Sequence, residues 1–304
     1  MKTHMGRKNI VVTGATGLLG RHLLPILKVD NDVWAISQNP PEKESVTSVC
    51  WVKFDLAGEL SGLNELLPDR IDAVIHLAQS PFFRDFPDFA QHVFNVNVNA
   101  TMFLLDLARS SGCTHFINAS SGGVYTFSDH LLSEKGIELL PAGSGFYPVS
   151  KQCGELLVNA YANLMHTVNL RFFFIYGRGQ DAGMLIPRLV ESVRQGKEIL
   201  LQGKEGLHLN PVHASDAANA VMKSLELNES HTINVAGKYT TSLKQLGLII
   251  GESLNVEAKF SIDLKQSAKD IVADISAMNT LLQKPEVDLK EGVFDYCDYE
   301  TKKK

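Results

Sequence analysis

Several kinds of segment are missing from this 304-residue chain, and each absence narrows what it can be. Cysteine is scarce: Cys50, Cys113, Cys153 and Cys297 lie far apart with no C-x-x-C, which points to neither a zinc knuckle nor a redox pair. The ten histidines include no H-E-x-x-H, and no metal site is expected. Isolated cysteines fit reduced thiols and a cytoplasmic location. No run approaches the roughly 18 apolar residues of a membrane span, and the polar start from Met1 to Lys8 leads into no apolar signal core. Neither sign of charge dominates: 29 basic residues stand against 34 acidic, a net charge of -5, which gives no reason to expect a nucleic-acid partner. The closing Lys302-Lys303-Lys304 is expected to be a solvated tail. There is no internal repeat and no low-complexity tract. What remains is 44% hydrophobic and 21% charged, an ordinary globular composition with enough chain for one large or two modest domains.

The first informative stretch is Asn9 to Thr13, a short β-branched apolar run that predicts a buried strand. It passes directly into Gly14-Ala15-Thr16-Gly17-Leu18-Leu19-Gly20 and then into the helical pattern Leu23, Leu24, Ile26, Leu27. Strand, glycine turn and helix form the context that a dinucleotide fingerprint requires. Gly14 allows the tight turn, Gly17 lets a pyrophosphate reach the helix N-terminus, and Gly20 lets helix and strand pack closely. The spacing is G-x-x-G-x-x-G rather than G-x-G-x-x-G. Further strands are predicted at Asp32–Ile36, Trp51–Phe54, Ala73–Leu77 and His115–Ala119, with one long helix over Asp88–Ser110. Such β-α alternation implies a doubly wound parallel α/β sheet with helices on both faces.

The second informative stretch is Tyr147-Pro148-Val149-Ser150-Lys151. A tyrosine and a lysine four residues apart share one helix face. An ammonium held close to a phenol favours the phenolate and lowers its pKa from about 10, so the pair can act as a general acid or base.

Five motifs now stand in order: T-G-A-T-G-L-L-G at Thr13–Gly20, H-L-A at His76–Ala78, N-V-N-A-T at Asn97–Thr101, S-S-G-G-V-Y at Ser120–Tyr125 and Y-P-V-S-K at Tyr147–Lys151. Together with Arg171 to Gly177 they resemble an extended short-chain dehydrogenase/reductase of the NAD-dependent epimerase/dehydratase family. The resemblance covers nearly the whole chain. It implies a dinucleotide-binding Rossmann domain over 1–176 plus 208–236 and a smaller, discontinuous substrate lobe over 177–207 plus 237–304. It also implies a catalytic set of Ser121, Tyr147 and Lys151, in which Ser121 holds the substrate oxygen and Lys151 bonds the nicotinamide ribose. The cofactor positions it implies are Gly14, Thr16, Gly17, Leu18, Leu19, Ser37, Gln38, Asp55, Leu56, Leu77, Ala78, Gln79, Asn97, Tyr147 and Lys151. Relatives often form homodimers by pairing two long helices, here Asp88–Ser110 and Tyr147–Tyr161.

Departures from the family pattern carry information of their own. Ser37 stands where NAD-binding relatives have a carboxylate on the ribose, and no arginine at Gln38 grips a 2′-phosphate. NADP is favoured slightly over NAD, with Arg21 and Lys43 as possible sources of positive charge. Asp55 matches the position that receives the adenine amino group, or else caps the next turn. Gly122 and Gly123 stand where 4,6-dehydratases resemble an acid-base pair, so water elimination is not expected. Relatives have a second alanine where Gln79 stands. Phe82 and Phe83 follow at the carboxyl edge of the sheet, where they can line a substrate cavity or pack in the core. Phe174 replaces an asparagine that contacts the sugar diphosphate, and Leu209-Asn210-Pro211 replaces a segment that carries a phosphate-gripping arginine. Arg178, Arg188, Lys204 and His208 are candidates for an anion clamp, each of which can equally be a solvated surface residue.

The expected activity is NAD(P)-dependent hydride transfer at a sugar carbon, C4 foremost, of a nucleotide-activated sugar, as a 4-ketoreductase or 4-epimerase. Reduction of a non-sugar carbonyl, as in dihydroflavonol-type reductases, is an alternative. A dinucleotide-sensing regulator without catalysis is another, and the retained Tyr147 and Lys151 count against it.

Overall fold

In the computed structural model, which describes residues 7–41, 49–125, 130–135 and 140–302, the apolar runs of the first half become the strands of one sheet. The elements are β1 (Lys8–Thr13), α1 (Leu18–Leu27), β2 (Asn31–Ser37), β3 (Val49–Lys53), β4 (Ala73–His76), α2 (Ala90–Phe94), α3 (Ala100–Ser110), β5 (His115–Ser121), α4 (Phe146–Ala160), β6 (His166–Phe172) and β9 (His231–Val235), with β7 and β8 described below. The strand order is β3-β2-β1-β4-β5-β6-β9. Strands β1 to β5 pair in parallel, with Val12 opposite Ala35 and Ile75. The crossover between β1 and β4 puts the carboxyl ends of both strands, and the loops that leave them, at the switch point where open α/β sheets bind ligands. Residues on these strands, such as Val11, Val12, Val74 and Ile75, are fully buried. They read as continuous apolar runs because helices cover both faces.

The expected helix over Asp88–Ser110 is interrupted. It starts at Ala90, widens into a π-helical turn at Asn95–Asn99 and resumes as α3. The sequence N-V-N-V-N explains the break: Asn side chains compete for local partners. Asn95 accepts from Gln91 (2.8 Å) and donates to the Ala57 carbonyl (2.8 Å), while the Thr101 hydroxyl donates to the Asn97 carbonyl (2.8 Å). Val93, Val96, Ala100 and Leu104 remain on the buried face.

The chain divides into two compact units. The first comprises Met1–Val124, Leu139–Arg171 and Val221–Ile233. The second comprises Tyr125–Glu138, Phe172–Ala220 and Asn234–Lys304. The second unit has β7 (Glu198–Gln202) paired in parallel with β11 (Lys259–Asp263), and β8 (His208–Leu209) antiparallel to β10 (Thr241–Ser242). Its helices are α5 (Leu185–Arg194), α7 (Leu243–Leu254) and α8 (Leu289–Lys302), while α6 (Ala214–Ser224) runs across the division. Ser242 caps α7, its hydroxyl accepting from the Gln245 N–H at 3.1 Å. A core of Tyr176, Ile186, Val193, Leu201, Leu246 and Val293 holds this unit together. Among the described residues no helix is long and apolar enough to cross a membrane. Among the described residues no disulfide is formed. Of the positions singled out in the sequence, Lys43, Lys303 and Lys304 lie outside the described residues, as do Met1 to Gly6.

Candidate active site

The glycine turn after β1 is shaped by the absence of side chains. Gly14 has φ +68, in the left-handed region, and a Cβ there would lie 2.7 Å from the backbone of Leu77 and Ala78. A Cβ on Gly20 would lie 2.4 Å from the Ala15 carbonyl, so α1 can rest on the turn only with glycine there. Gly17 is the N-cap of α1 and makes no side-chain cap bond. The first N–H groups of that helix, at the positive end of its dipole, are therefore left to an anion or to water. Leu18 is half-buried and Leu19 buried beneath the turn. A backbone cradle that a Cβ would fill, opening onto an uncapped helix N-terminus, fits a dinucleotide pyrophosphate.

At the end of β2, Ser37 is buried and bonds Thr16 (3.0 Å) and the Asn39 N–H (3.2 Å). Its hydroxyl ties β2 to the glycine turn. Gln38 is exposed and donates to Asp55 at 3.2 Å. The other Asp55 oxygen accepts from the Ala57 N–H at 2.9 Å, so the carboxylate does cap its own turn. Leu56 is buried in the core of the first unit. Asn97 is also spent internally: Oδ1 accepts from the Ser80 N–H (3.2 Å) and Nδ2 donates to Ser150 (3.0 Å). It fastens the loop after β4 to α4.

The catalytic candidates meet at the junction of β5 and α4. The Ser121 hydroxyl accepts from the Gly123 N–H at 3.0 Å and lies close enough to the Tyr147 phenol to lower its pKa. The phenol donates to Oε1 of Gln79 at 3.0 Å. A Cβ on Gly123 would come 3.3 Å from the Ser121 oxygen and 3.9 Å from the Tyr147 ring, so a bare glycine keeps this corner open. Gly122 is buried beside it. The Phe83 ring packs on Tyr147 at 5.0 Å, and the Arg84 guanidinium lies over the Phe83 ring, 4.8 Å from its centroid. Phe82 turns away, stacked on Phe89 at 4.2 Å and edge-on to His92. Phe83, not Phe82, is therefore the neighbour of the phenol.

The electrostatics differ from the sequence expectation. Burial pushes the Tyr147 phenol above its usual pKa, while the Ser121 hydroxyl and the positive charge of Arg84 pull the other way. The ring keeps a partly exposed edge, but the phenol is enclosed closely enough for desolvation to dominate. Lys151 is directed elsewhere: Nζ donates to the Ala119 carbonyl at 2.8 Å. Its own pKa is pushed down by burial to about 8, with Glu155 opposing the fall.

Glu155 is the residue that pattern reading missed, although Tyr147, Lys151 and Glu155 recur at i, i+4 and i+8 on one face of α4. Its carboxylate accepts from Ser120 (2.5 Å) and from two nitrogens of Arg171 on β6 (2.8 and 2.6 Å). Three consecutive residues of β5 thus each hold one of three consecutive turns of α4: Ala119 holds Lys151, Ser120 holds Glu155 and Ser121 holds Tyr147. Behind them, His76 bonds Thr13 (2.7 Å) through Nδ1 and Thr101 (3.0 Å) through Nε2. The Thr101 hydroxyl hydrogen goes to the Asn97 carbonyl, so Thr101 accepts from Nε2–H and Nδ1 accepts from Thr13. The ring is neutral, and burial together with the Lys151 charge lowers its pKa to about 3. Thr13 in turn accepts from the Ala78 N–H at 3.2 Å, which fixes the segment Leu77–Gln79 beside Gly14.

The remaining candidates belong to the second unit. Arg178 is gripped by both oxygens of Asp295, the Nε bond being 2.8 Å. His208 bonds Asp270 through Nδ1 at 3.0 Å. Both are engaged by carboxylates rather than presented to an anion. Arg188 on α5 and Lys204 are exposed. Phe174 has φ 45, a conformation that strains a bulky side chain, and packs against two clusters of its own unit. Among the described residues no group of three His, Cys, Asp or Glu could hold a metal ion.

Comparison with known proteins bears on these observations. The sequence profile of the NAD dependent epimerase/dehydratase family matches residues 10–236. The chain is 26% identical over 249 residues to a GDP-6-deoxy-D-talose 4-dehydrogenase of Aggregatibacter actinomycetemcomitans, covering 80% of this chain and 79% of that protein. It is 24% identical over 257 residues to a dTDP-4-dehydro-6-deoxy-D-allose reductase of a Streptomyces species, with 79% of each covered. Its fold superposes with a TM-score of 0.84 on the UDP-glucuronic acid 4-epimerase of Bacillus cereus, solved with UDP-glucuronic acid and NAD. The two are 26% identical, with 97% of this chain and 100% of that one covered.

Proposed function

The chain belongs to the NAD dependent epimerase/dehydratase family, and from that premise we propose that it moves a hydride at C4 of a nucleotide-activated sugar, with Tyr147 giving or taking the proton. One observation carries most of the weight. The segment Leu77-Ala78-Gln79 touches both halves of the chemistry: its backbone closes on Gly14 of the cradle, and the Gln79 side chain bonds the Tyr147 phenol. That shared segment supports a cofactor and a proton donor working at one edge of the sheet.

Gly14, Gly17 and the N-terminus of α1 would hold the pyrophosphate, and Lys151 on α4 would bond the ribose by exchanging the Ala119 carbonyl for it. A nicotinamide dinucleotide, when bound, accepts and donates the hydride. Tyr147 protonates the substrate oxygen during reduction and accepts its proton during oxidation, while Ser121 steadies the same oxygen. The buried lysine, held on the Ala119 carbonyl, keeps a positive charge beneath the site. Gly122 and Gly123 provide no proton-moving side chain beside the phenol, which argues against a dehydratase. Ser37 leaves the end of β2 without a carboxylate to repel a 2′-phosphate, which favours NADP and cofactor exchange at each turnover. That makes a 4-ketoreductase the leading form of the activity. The similarity to a 4-epimerase supports the same oxidation and reduction on bound NAD as the second form. Phe83 and Arg84 make the nearer wall of the substrate space.

Phe94, Met102, Val149 and Leu156 are exposed apolar side chains on the helical segments α2 to α4, which supports a homodimer through those helices. The deciding experiment is to denature the purified protein, identify any released dinucleotide, and titrate NADH and NADPH into it. Stoichiometric NAD points to the epimerase; an empty site that prefers NADPH points to the ketoreductase. Failure to bind either removes the enzyme assignment.

A further inference from the structure

Gln79 has a task that the family resemblance does not supply, since alanine is usual at its place. It is exposed on the loop after β4, and its side chain reaches the phenol of Tyr147. The direction of the bond between them is fixed by the phenol: Tyr147 donates its hydrogen to Oε1 of Gln79, while the neighbouring Ser121 oxygen accepts from the Gly123 N–H. It is the carboxamide oxygen, an acceptor only, that faces the phenol, so the contact in this orientation exists only while the phenol is protonated; the Nε2 donor would reach a phenolate only after the side chain turned over. A hydrogen bond to the neutral form disfavours ionisation. An amide carbonyl accepting from this phenol also reproduces what the oxygen of a ketone substrate must do at the moment of reduction.

On the reading of Tyr147 as the acid, we propose that Gln79 is a positioning residue for proton transfer. Its carboxamide oxygen occupies the place of the substrate's carbonyl oxygen and holds Tyr147 as an aimed proton donor until the substrate displaces it. In the step itself the hydride lands on the carbonyl carbon and the Tyr147 proton goes to the oxygen; Gln79 gains and loses nothing. The device biases the resting site toward reduction. The charged and titratable groups around the phenol are Arg84 on the loop after β4, Lys151 and Glu155 on α4, neutral His76 on β4 and Arg171 on β6. Lys151 and Arg171 are bound to Ala119 and Glu155 respectively.

The test is the ultraviolet titration of the phenolate in the unliganded protein, with the Y147F spectrum subtracted to isolate Tyr147. In Q79A the midpoint moves down by about half a pH unit or more, the effect of losing one neutral hydrogen bond. In Q79E it moves up, because a carboxylate accepts more strongly and repels the phenolate. In turnover, Q79A lowers KM for the carbonyl substrate, since no placeholder has to leave, and the alkaline limb of kcat/KM for reduction moves down with the titration. A Q79A midpoint that stays in place or rises overturns the inference. The two levels separate cleanly: an inactive Y147F with an unmoved Q79A titration fails Gln79 alone, whereas an active Y147F removes the acid–base assignment and the step that Gln79 serves.

Discussion

The glycine turn after β1 and the junction of β5 with α4 lie in one compact unit, yet they are made of opposite materials. At the turn, function depends on side chains that are absent: Gly14 and Gly20 leave room for backbone against backbone, and Gly17 leaves helix N–H groups uncapped. At the junction it depends on side chains brought from far apart in the chain, with Gln79, Ser121, Tyr147, Lys151, Glu155 and Arg171 arriving from four separate segments. The cradle's turn is set within seven residues, with the Leu77–Ala78 backbone closing on Gly14. The proton-handling corner is a tertiary one, joined to the cradle through the segment that carries Gln79. How far the two are separable can be tested directly.

The largest effect is expected at the junction. Y147F should lower turnover by about 100-fold to 10,000-fold, the usual contribution of a placed acid or base. Dinucleotide affinity, measured by nicotinamide fluorescence, should stay within a few-fold; a matching loss of binding would show that the two regions are not separable. Next comes the buried pair beneath the junction. E155A takes the Glu155 carboxylate away from the buried Arg171 guanidinium, which is 5% exposed, and chemical denaturation should show a loss of roughly 3–5 kcal/mol. Replacing both partners together with apolar residues of similar size should recover most of that stability. If it does not, Glu155 does more than neutralise Arg171.

His76 ties the two regions together, and its sign is opposite to that of a salt-bridged histidine. Its folded pKa of about 3 lies below the ordinary value of 6.5. The stability it contributes is complete above pH 6.5 and drains away as the pH falls toward 3, because the unfolded chain takes up the proton first. The loss should be on the order of a few kcal/mol, and H76N should flatten that part of the stability–pH curve.

At the cradle, G14A should cost about 1–2 kcal/mol from the left-handed backbone alone. Its Cβ also has to displace the Leu77–Ala78 backbone, so dinucleotide binding should weaken while the Tyr147 titration barely moves. A shift of that titration would mean that the cradle strains the junction through Gln79. The smallest effect serves as a control outside both regions: S242A removes the cap of α7 and should lower stability by about 1 kcal/mol, leaving cofactor binding unchanged.

Much of this was legible in the chain. β-branched runs that end in glycine, and the helical spacing of Leu23, Leu24 and Leu27, identified the sheet and the cradle because both obey local periodicity. The π-helical turn at Asn95–Asn99 was not legible, since its cause is a set of asparagine bonds reaching as far as Ala57. The expected lowering of the Tyr147 pKa by Lys151 failed on the same ground. Helical spacing places two side chains on one face, but it does not decide where each head group goes. The Ala119 carbonyl took the ammonium, and burial set the sign of the phenol's shift. Arg178 and His208, read as candidates for an anion, turned out to be held by Asp295 and Asp270, which lie 117 and 62 residues away along the chain.

The sequence by itself determined the strand–glycine–helix cradle, the α/β alternation and the family, because each rests on contacts within a few residues or on motifs in fixed order. Only the tertiary structure decided that Gln79 meets Tyr147, that Phe83 rather than Phe82 lines the phenol, and that Glu155 is clamped by Ser120 and Arg171. Those pairings join residues 16 to 68 positions apart, and it is the packing of β4, β5, β6 and α4 against one another, not any local pattern, that brings them within reach.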